Sequence, residues 1–360
     1  GKSKTFKLNR ALYGLRNSPK CWNVKFNEVM EKLGFLRSRY DFCLYTKQDV
    51  FLVLFVDDAL ITGSDKNVNK LFNDLHEEFQ VRDLGEVKSF LGMEINRTQN
   101  DLHITQVKMS ERLMKEFEME KCRSVSTPME VAFNREETEV DSNLPYRRLV
   151  CSLMYISLIS RPDIAFSVSF LARYHDKPTS QLFNAGKRIL RYINHTINKG
   201  LMFTKGDESL VGMSDADWAG DKDSRKSVSG FVAFHGPNLV AWHSRKQTSV
   251  ALSSMEAEYI AAGAAAQELV NLKGVLSEFS GKNVSAFLKV DNVSAISMMK
   301  TWENSKRGKH IEIKYHFIKD LYSKNEIQID YISTNENCAD IMTKALGTEK
   351  FVYFRDQIVN

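Results

Sequence analysis

The 360 residues are 43% hydrophobic and 26% charged, which excludes a disordered chain or a coiled coil and leaves room for two or three domains with real cores. A formal net charge of +5 permits a polyanionic partner without demanding one. The five cysteines (Cys21, Cys43, Cys122, Cys151 and Cys338) are scattered and contain no CxxC pair, which argues against a zinc framework or a disulfide scaffold and fits a reducing compartment. The most apolar long segment, Leu149 to Ile159, is well short of the ~20 residues that a membrane span needs, so it reads as a core helix. No signal peptide is evident, and the start at Gly1, without an initiator Met, suggests a piece of a longer polypeptide.

In chain order, Trp22, Phe26, Val29 and Leu33 recur at helical spacing over residues 20–34, with Gly34 as a stop. "FLVLFVDDALIT" reads as a strand pair broken at Asp57 and Asp58. Val68, Leu71, Phe72, Leu75 and Phe79 make one face of a second helix over 67–79. Two strand pieces, "SFLGMEINRT" and "DLHITQ", meet across Gln99-Asn100, and "KMSERLMKEFEM" reads as helix. Residues 122–143 are polar and aperiodic and read as a linker. From Tyr146 to Ile197 the chain reads as helical, with Leu182, Ala185, Gly186, Ile189, Leu190 and Ile193 in one stripe and Lys187, Arg188 and Arg191 off it. Three consecutive strands follow, "LVGMSDADWAG", "SVSGFVAFHG" and "LVAWHSRK". A long helix covers about 254–279. The strand "AFLKVDN", a helix over 309–324, the strand "IQIDYIS" and a final helix from near Glu336 complete an α/β domain.

Asp57 and Asp58 are not followed by Gly, so they are poor candidates for an efficient two-residue turn. Two adjacent carboxylates between Val56 and Ala59 repel each other unless a cation neutralises them, and a divalent ion with hard oxygen ligands does so. A hairpin tip of this kind suits phosphoryl chemistry. Ser253 and Glu256 form an S-x-x-E capping box, which sets Glu258 at the start of a helix.

"FVDD" resembles the YxDD hairpin of reverse transcriptases, with Phe55 where that pattern has Tyr. "LYGLRNSPKCW" resembles the segment before that hairpin in Ty1/copia-type retrotransposon Pol polyproteins; there Gly14, Ser18 and Pro19 match a GxxxSP pattern that supports template and incoming nucleotide. "FLGMEI", with Gly92, resembles the primer-grip hairpin, and "STPM" the end of the polymerase part. Asp215 in "MSDADWAG", Glu258 in "SSMEAEYIAA", Asp291 in "FLKVD" and Asp340 in "NENCADIMTK" resemble the D-E-D-D carboxylates of ribonuclease H domains.

The resemblance implies an α+β reverse transcriptase palm and thumb portion over residues 1–128, and a linker with a helical connection over 129–204. It implies an α/β ribonuclease H-like domain with a mixed five-stranded sheet over 205–347, and a tail over 348–360. It implies Mg²⁺ or Mn²⁺, two ions per active site, held by Asp215, Glu258, Asp291 and Asp340 and, in the polymerase part, by Asp57 and Asp58. Asp217 and Glu256 are close decoys. Arg225, Lys226, Arg245 and Lys246 are candidates for phosphate contact. His310 and His316, spaced i,i+6, read as structural. The family's third polymerase Asp lies upstream of "LYGL", and Asp41 and Asp49 fall on the wrong side of that segment to replace it. The implied partners are template-primer nucleic acid, an RNA/DNA hybrid whose RNA strand is cut, and the rest of a Pol polyprotein with its integrase. No membrane is implied; the setting would be a cytoplasmic virus-like particle or the nucleus. The alternative is a decayed or host-retained fragment that binds nucleic acid without catalysis.

Overall fold

The computed structural model describes residues 7–8, 11–12, 14–131, 133–135, 139–301 and 312–360, and for 312–316 the backbone alone. His310, the His316 side chain and the start of the helix expected over 309–324 lie outside the described residues. Two compact units emerge: the described residues up to Val87 with Gly274–Asn283, and Lys88–Lys273 with Val284–Asn360.

In the first unit, α1 (Ser18–Lys32) carries Pro19 in its first turn, where a missing N–H leaves nothing unpaired. The helix ends at Leu33, and Gly34 turns the chain at φ +78°. The strands β1 (Leu36–Arg37), β2 (Leu44–Lys47), β3 (Val50–Phe55) and β4 (Asp58–Thr62) form an antiparallel sheet in sequence order. α2 (Asp65–Glu78) buries Leu71 and Leu75. These join Phe26, Val29, Met30, Tyr45, Leu52 and Leu54 in one core, with Phe79 stacked on Phe26 at 5.7 Å.

The second unit opens with β5 (Ser89–Phe90), β6 (Met93–Arg97) and β7 (Asp101–Thr105), then α3 (Val107–Glu116). The continuous helical stretch expected from Tyr146 to Ile197 is three helices: α4 (Tyr146–Ile159), α5 (Ala165–Ala172) and α6 (Ser180–His195). Pro162 opens a short 3-10 turn after α4, and Pro178 precedes α6; proline can start a helix but not continue one. The stripe expected on α6 is buried. Gly186 lets α6 approach α4 closely, since a Cβ there would meet Leu149 at 2.8 Å.

β8 (Leu201–Thr204) pairs with β7, so the β6–β7 hairpin is tied to chain that follows the helices. Residue 128 lies within the compact unit that begins at Lys88. Within the stretch that reads as a linker, Thr127 and Met129 are buried, and Arg188 pairs with Glu130 and donates to Thr127.

The strands β9 (Leu210–Asp217), β10 (Val228–His235), β11 (Asn238–Lys246), β12 (Ala286–Val290) and β13 (Gln328–Tyr331) make a mixed five-stranded sheet in the order β11-β10-β9-β12-β13. β9, β10 and β11 are antiparallel, whereas β9, β12 and β13 run parallel. α7 (Ser254–Ser280), α8 (Val293–Lys300) and α9 (Glu312–Ser323) connect them. No α-helix starts near Glu336. A 3-10 turn spans Cys338–Met342, opened by the Asn337 side chain accepting from Ala339 N–H, and α10 (Thr348–Ile358) begins only after Gly347. The expected tail is α10, which places Phe351, Phe354 and Ile358 in the core.

Candidate carboxylate centre

Parallel pairing of β9 with β12 sets Ser214 beside Val290, so the next residue on each strand, Asp215 and Asp291, emerges at one point of the sheet. There β12 ends and the ladder stops. The Ala216 N–H is thus free for a side chain, and it donates to Glu258 Oε1 at 3.2 Å. Glu258 is the fifth residue of α7, one position beyond the first turn expected for it. The capping box holds that turn: Glu256 N–H donates to Ser253 Oγ at 3.2 Å, and Glu256 Oε2 accepts from Leu252 N–H at 2.8 Å. Glu256 is committed to the cap.

Asp215, Glu258 and Asp291 each bring a carboxylate oxygen within 4.8 Å of the other two, and theirs is the single such group of three among the described residues. Asp215 and Glu258 are buried. Glu258 Oε2 has no hydrogen-bond partner. Burial, then the charge of Asp340, pushes the Asp215 carboxyl up to about 7, although Lys344 and Thr343 pull against it. Burial, then Asp215 and Asp291, pushes Glu258 up to about 9. These shifts are what crowded, desolvated carboxylates show without a cation. Hard oxygen donors, mutual repulsion and an unpartnered buried oxygen together fit a divalent ion such as Mg²⁺ or Mn²⁺.

Neighbouring side chains fix the three acids. Thr343 Oγ1 donates to Asp215 Oδ2 at 2.5 Å, and Thr334 Oγ1 to Asp291 Oδ2 at 3.0 Å. Asn337, fully buried, donates to Ser214 O at 2.9 Å and ties the 3-10 turn to β9. Gly230 lies opposite Asp215 on β10, and a Cβ there would come within 2.6 Å of Ala339 O. Its missing side chain is what lets the turn bearing Asp340 settle on the sheet. Sequence reading passed over Thr343, Thr334, Asn337 and Gly230; a glycine inside a strand pattern was the available signal for a close approach.

Asp340 does not join the group of three. It is buried, with Lys344 Nζ at 2.5 Å from Oδ1 and Lys350 Nζ at 2.7 Å from Oδ2. Asp217, raised by burial, also lies outside the group.

Of the basic candidates, Arg245 pairs with Glu268 at 3.2 Å. Lys246 shares Asp221 with Arg173, at 3.2 and 3.0 Å. Arg225 is exposed at φ +56°, and neither it nor Lys226 has an ion pair among the described residues.

In the first unit, Val56 and Asp57 form the tip between β3 and β4, and both Asp57 and Asp58 are exposed. Val56 takes φ +56°, an uncommon conformation for a β-branched residue, and its carbonyl accepts from Trp22 Nε1 at 2.5 Å. No third acid groups with Asp57 and Asp58 among the described residues. Gly14 turns the chain at φ +89°, and Ser18 Oγ donates to Leu12 O at 2.5 Å. Gly92, at φ +72°, completes the β5–β6 hairpin in the second unit, and the Tyr155 hydroxyl donates to Leu91 O beside it.

Residues 1–131 match the family described as reverse transcriptase (RNA-dependent DNA polymerase). The chain belongs to the retrotransposon Pol polyproteins of the Ty1/copia type. It is 37% identical to the retrovirus-related Pol polyprotein from transposon TNT 1-94 of Nicotiana tabacum, over 96% of this chain and 27% of that protein. To that from transposon RE1 of Arabidopsis thaliana it is 34% identical, over 98% of this chain and 25% of that protein. The chain thus spans about a quarter of the length of these relatives. Among solved structures, LC11-RNase H1 aligns at 16% identity and a TM-score of 0.30, covering 38% of this chain and 93% of that one.

Proposed function

We propose that the second unit cuts the RNA strand of RNA/DNA hybrids by metal-dependent hydrolysis at Asp215, Glu258 and Asp291. One observation carries this reading: three acids from β9, α7 and the end of β12 converge within 4.8 Å, with a buried oxygen of Glu258 left unpartnered. A bound pair of Mg²⁺ or Mn²⁺ ions would supply charge neutralisation at the scissile phosphate and acidity for the attacking water. The protein's own part is to hold the acids in place. Thr343 orients Asp215, Ala216 N–H orients Glu258 and Thr334 orients Asp291. Arg225 and Lys226 follow β9 in the chain and carry no ion pair among the described residues, which leaves them available to a phosphate backbone. Discrimination of RNA from DNA would rest on 2′-hydroxyl contacts across a wide minor groove.

The Asp57–Asp58 hairpin, with Gly14, Ser18 and Pro19, is proposed as the palm part of a polymerase whose activity belongs to a longer Pol parent. Gly92 would serve its primer grip. In that parent, RNA-directed DNA synthesis and integrase would act beside this chain, in a cytoplasmic particle or the nucleus.

The test is incubation of purified protein with a hybrid labelled on either strand, with Mg²⁺, Mn²⁺ or a chelator. The expected result is metal-dependent fragments from the RNA label alone. Intact RNA under every metal condition, with the hybrid still bound, would favour the non-catalytic binding module.

A further inference from the structure

The segment 340–350 brings two ammonium groups into a site otherwise built of acids. Lys344 Nζ and Lys350 Nζ take opposite oxygens of the buried Asp340 carboxylate, at 2.5 and 2.7 Å. Lys350 stands in the first turn of α10, which Phe351 and Phe354 anchor in the core, and its ammonium also lies over the Phe354 ring at 5.4 Å. Both lysine side chains keep an open route to water, at 41% and 35% exposure, while Asp340 has none. A flexible four-carbon stem can therefore withdraw its charge without any backbone movement.

We propose that Lys344 and Lys350 are resident counter-ions of the carboxylate centre: they hold Asp340 while no metal is bound and compete with divalent cations for it, so that metal entry displaces an ammonium group. Both are positioning residues, acting through Asp340. The inference rests on reading Asp215, Glu258 and Asp291 as the metal site. It also explains why Asp340 stands apart from the other three acids. A buried carboxylate without a counter-ion is costly, and two lysines meet that cost in the apo state.

The test is calorimetric titration of the full chain with Mn²⁺, alongside its metal-free melting temperature. Lys344→Met should tighten Mn²⁺ binding by about tenfold or more and lower the metal-free melting temperature, whereas Lys344→Arg should stay close to wild type. In an Asp340→Asn background, the same Lys344→Met change should leave the affinity within about twofold, because there is nothing left to compete for. If Lys344→Met fails to fold, Lys350→Met carries the same expectation. A lower melting temperature with unchanged Mn²⁺ affinity would show a purely structural pair and overturn the proposal. So would equal tightening with and without Asp340, which would mark a general charge effect. If wild type binds no Mn²⁺ at all, the metal-site reading itself fails, and this inference with it.

Discussion

Replacing Glu258 by Gln should stabilise the metal-free protein at alkaline pH. Glu258 is held at about 9 against an ordinary 4.5, and Asp215 at about 7 against 3.8, by burial first and neighbouring acids second. A carboxyl raised by folding holds its proton more tightly in the native state. Its contribution is therefore fully present below the unfolded value and is lost as pH climbs through the folded one. Stability should fall from about pH 4 through 7 for Asp215 and on to 9 for Glu258. At pH 8 the Glu258 carboxyl alone costs roughly 5 kcal/mol, taking about 1.36 kcal/mol per pH unit above its unfolded value. This is a ceiling, since the two acids share one repulsion. Gln avoids the cost and can still accept from Ala216 N–H. At roughly 2–4 °C per kcal/mol, the metal-free melting temperature of Glu258→Gln should rise by on the order of 10 °C at pH 8 and by little at pH 5. Calorimetry in chelator across pH 5–9 measures this. A lower melting temperature for Glu258→Gln at pH 8, or a wild type that gains stability between pH 5 and 9, would refute the reasoning.

Gly230→Ala should destabilise by about 3 kcal/mol and reduce hybrid cleavage together, because its Cβ would strike the turn that carries Asp340 and Thr343; chemical denaturation and a cleavage assay read the two effects. Thr343→Val should slow cleavage while changing stability by roughly 1 kcal/mol, the worth of one hydrogen bond to Asp215. Hybrid affinity should fall at least about tenfold between 50 and 200 mM salt if only Arg225 and Lys226 meet phosphates, by fluorescence anisotropy; Arg188, bound to Glu130, should add nothing. Residues 1–360 alone should not extend a primer, since Asp57 and Asp58 group with no third acid among the described residues; processive synthesis abolished by Asp57→Asn would contradict this.

Where one strong pattern governs an element, sequence and structure agree. The α6 stripe, the capping box at Ser253 and the strand run from Leu210 to Lys246 all fall where periodicity and composition put them. Pairing between distant strands was not legible. β8 joins β7 across a long span of sequence, within the compact unit that begins at Lys88. The last helix was misplaced because an Asn337 cap and a Gly230 contact hold the Asp340 segment as a tight turn. Within the site, the motif words singled out the four acids, and the structure gathers three of them. The lysines on Asp340 were invisible because their role depends on burial, which spacing alone does not reveal.

The most direct measurement compares wild type, Asp215→Asn and Asp217→Asn on a hybrid labelled on the RNA strand, in Mn²⁺. Asp215 stands in the group of three acids and Asp217 outside it. Wild type and Asp217→Asn should cut at comparable rates, while Asp215→Asn should lose most activity yet remain folded. An active Asp215→Asn beside a dead Asp217→Asn, or three equally active proteins, would contradict the assignment of the centre.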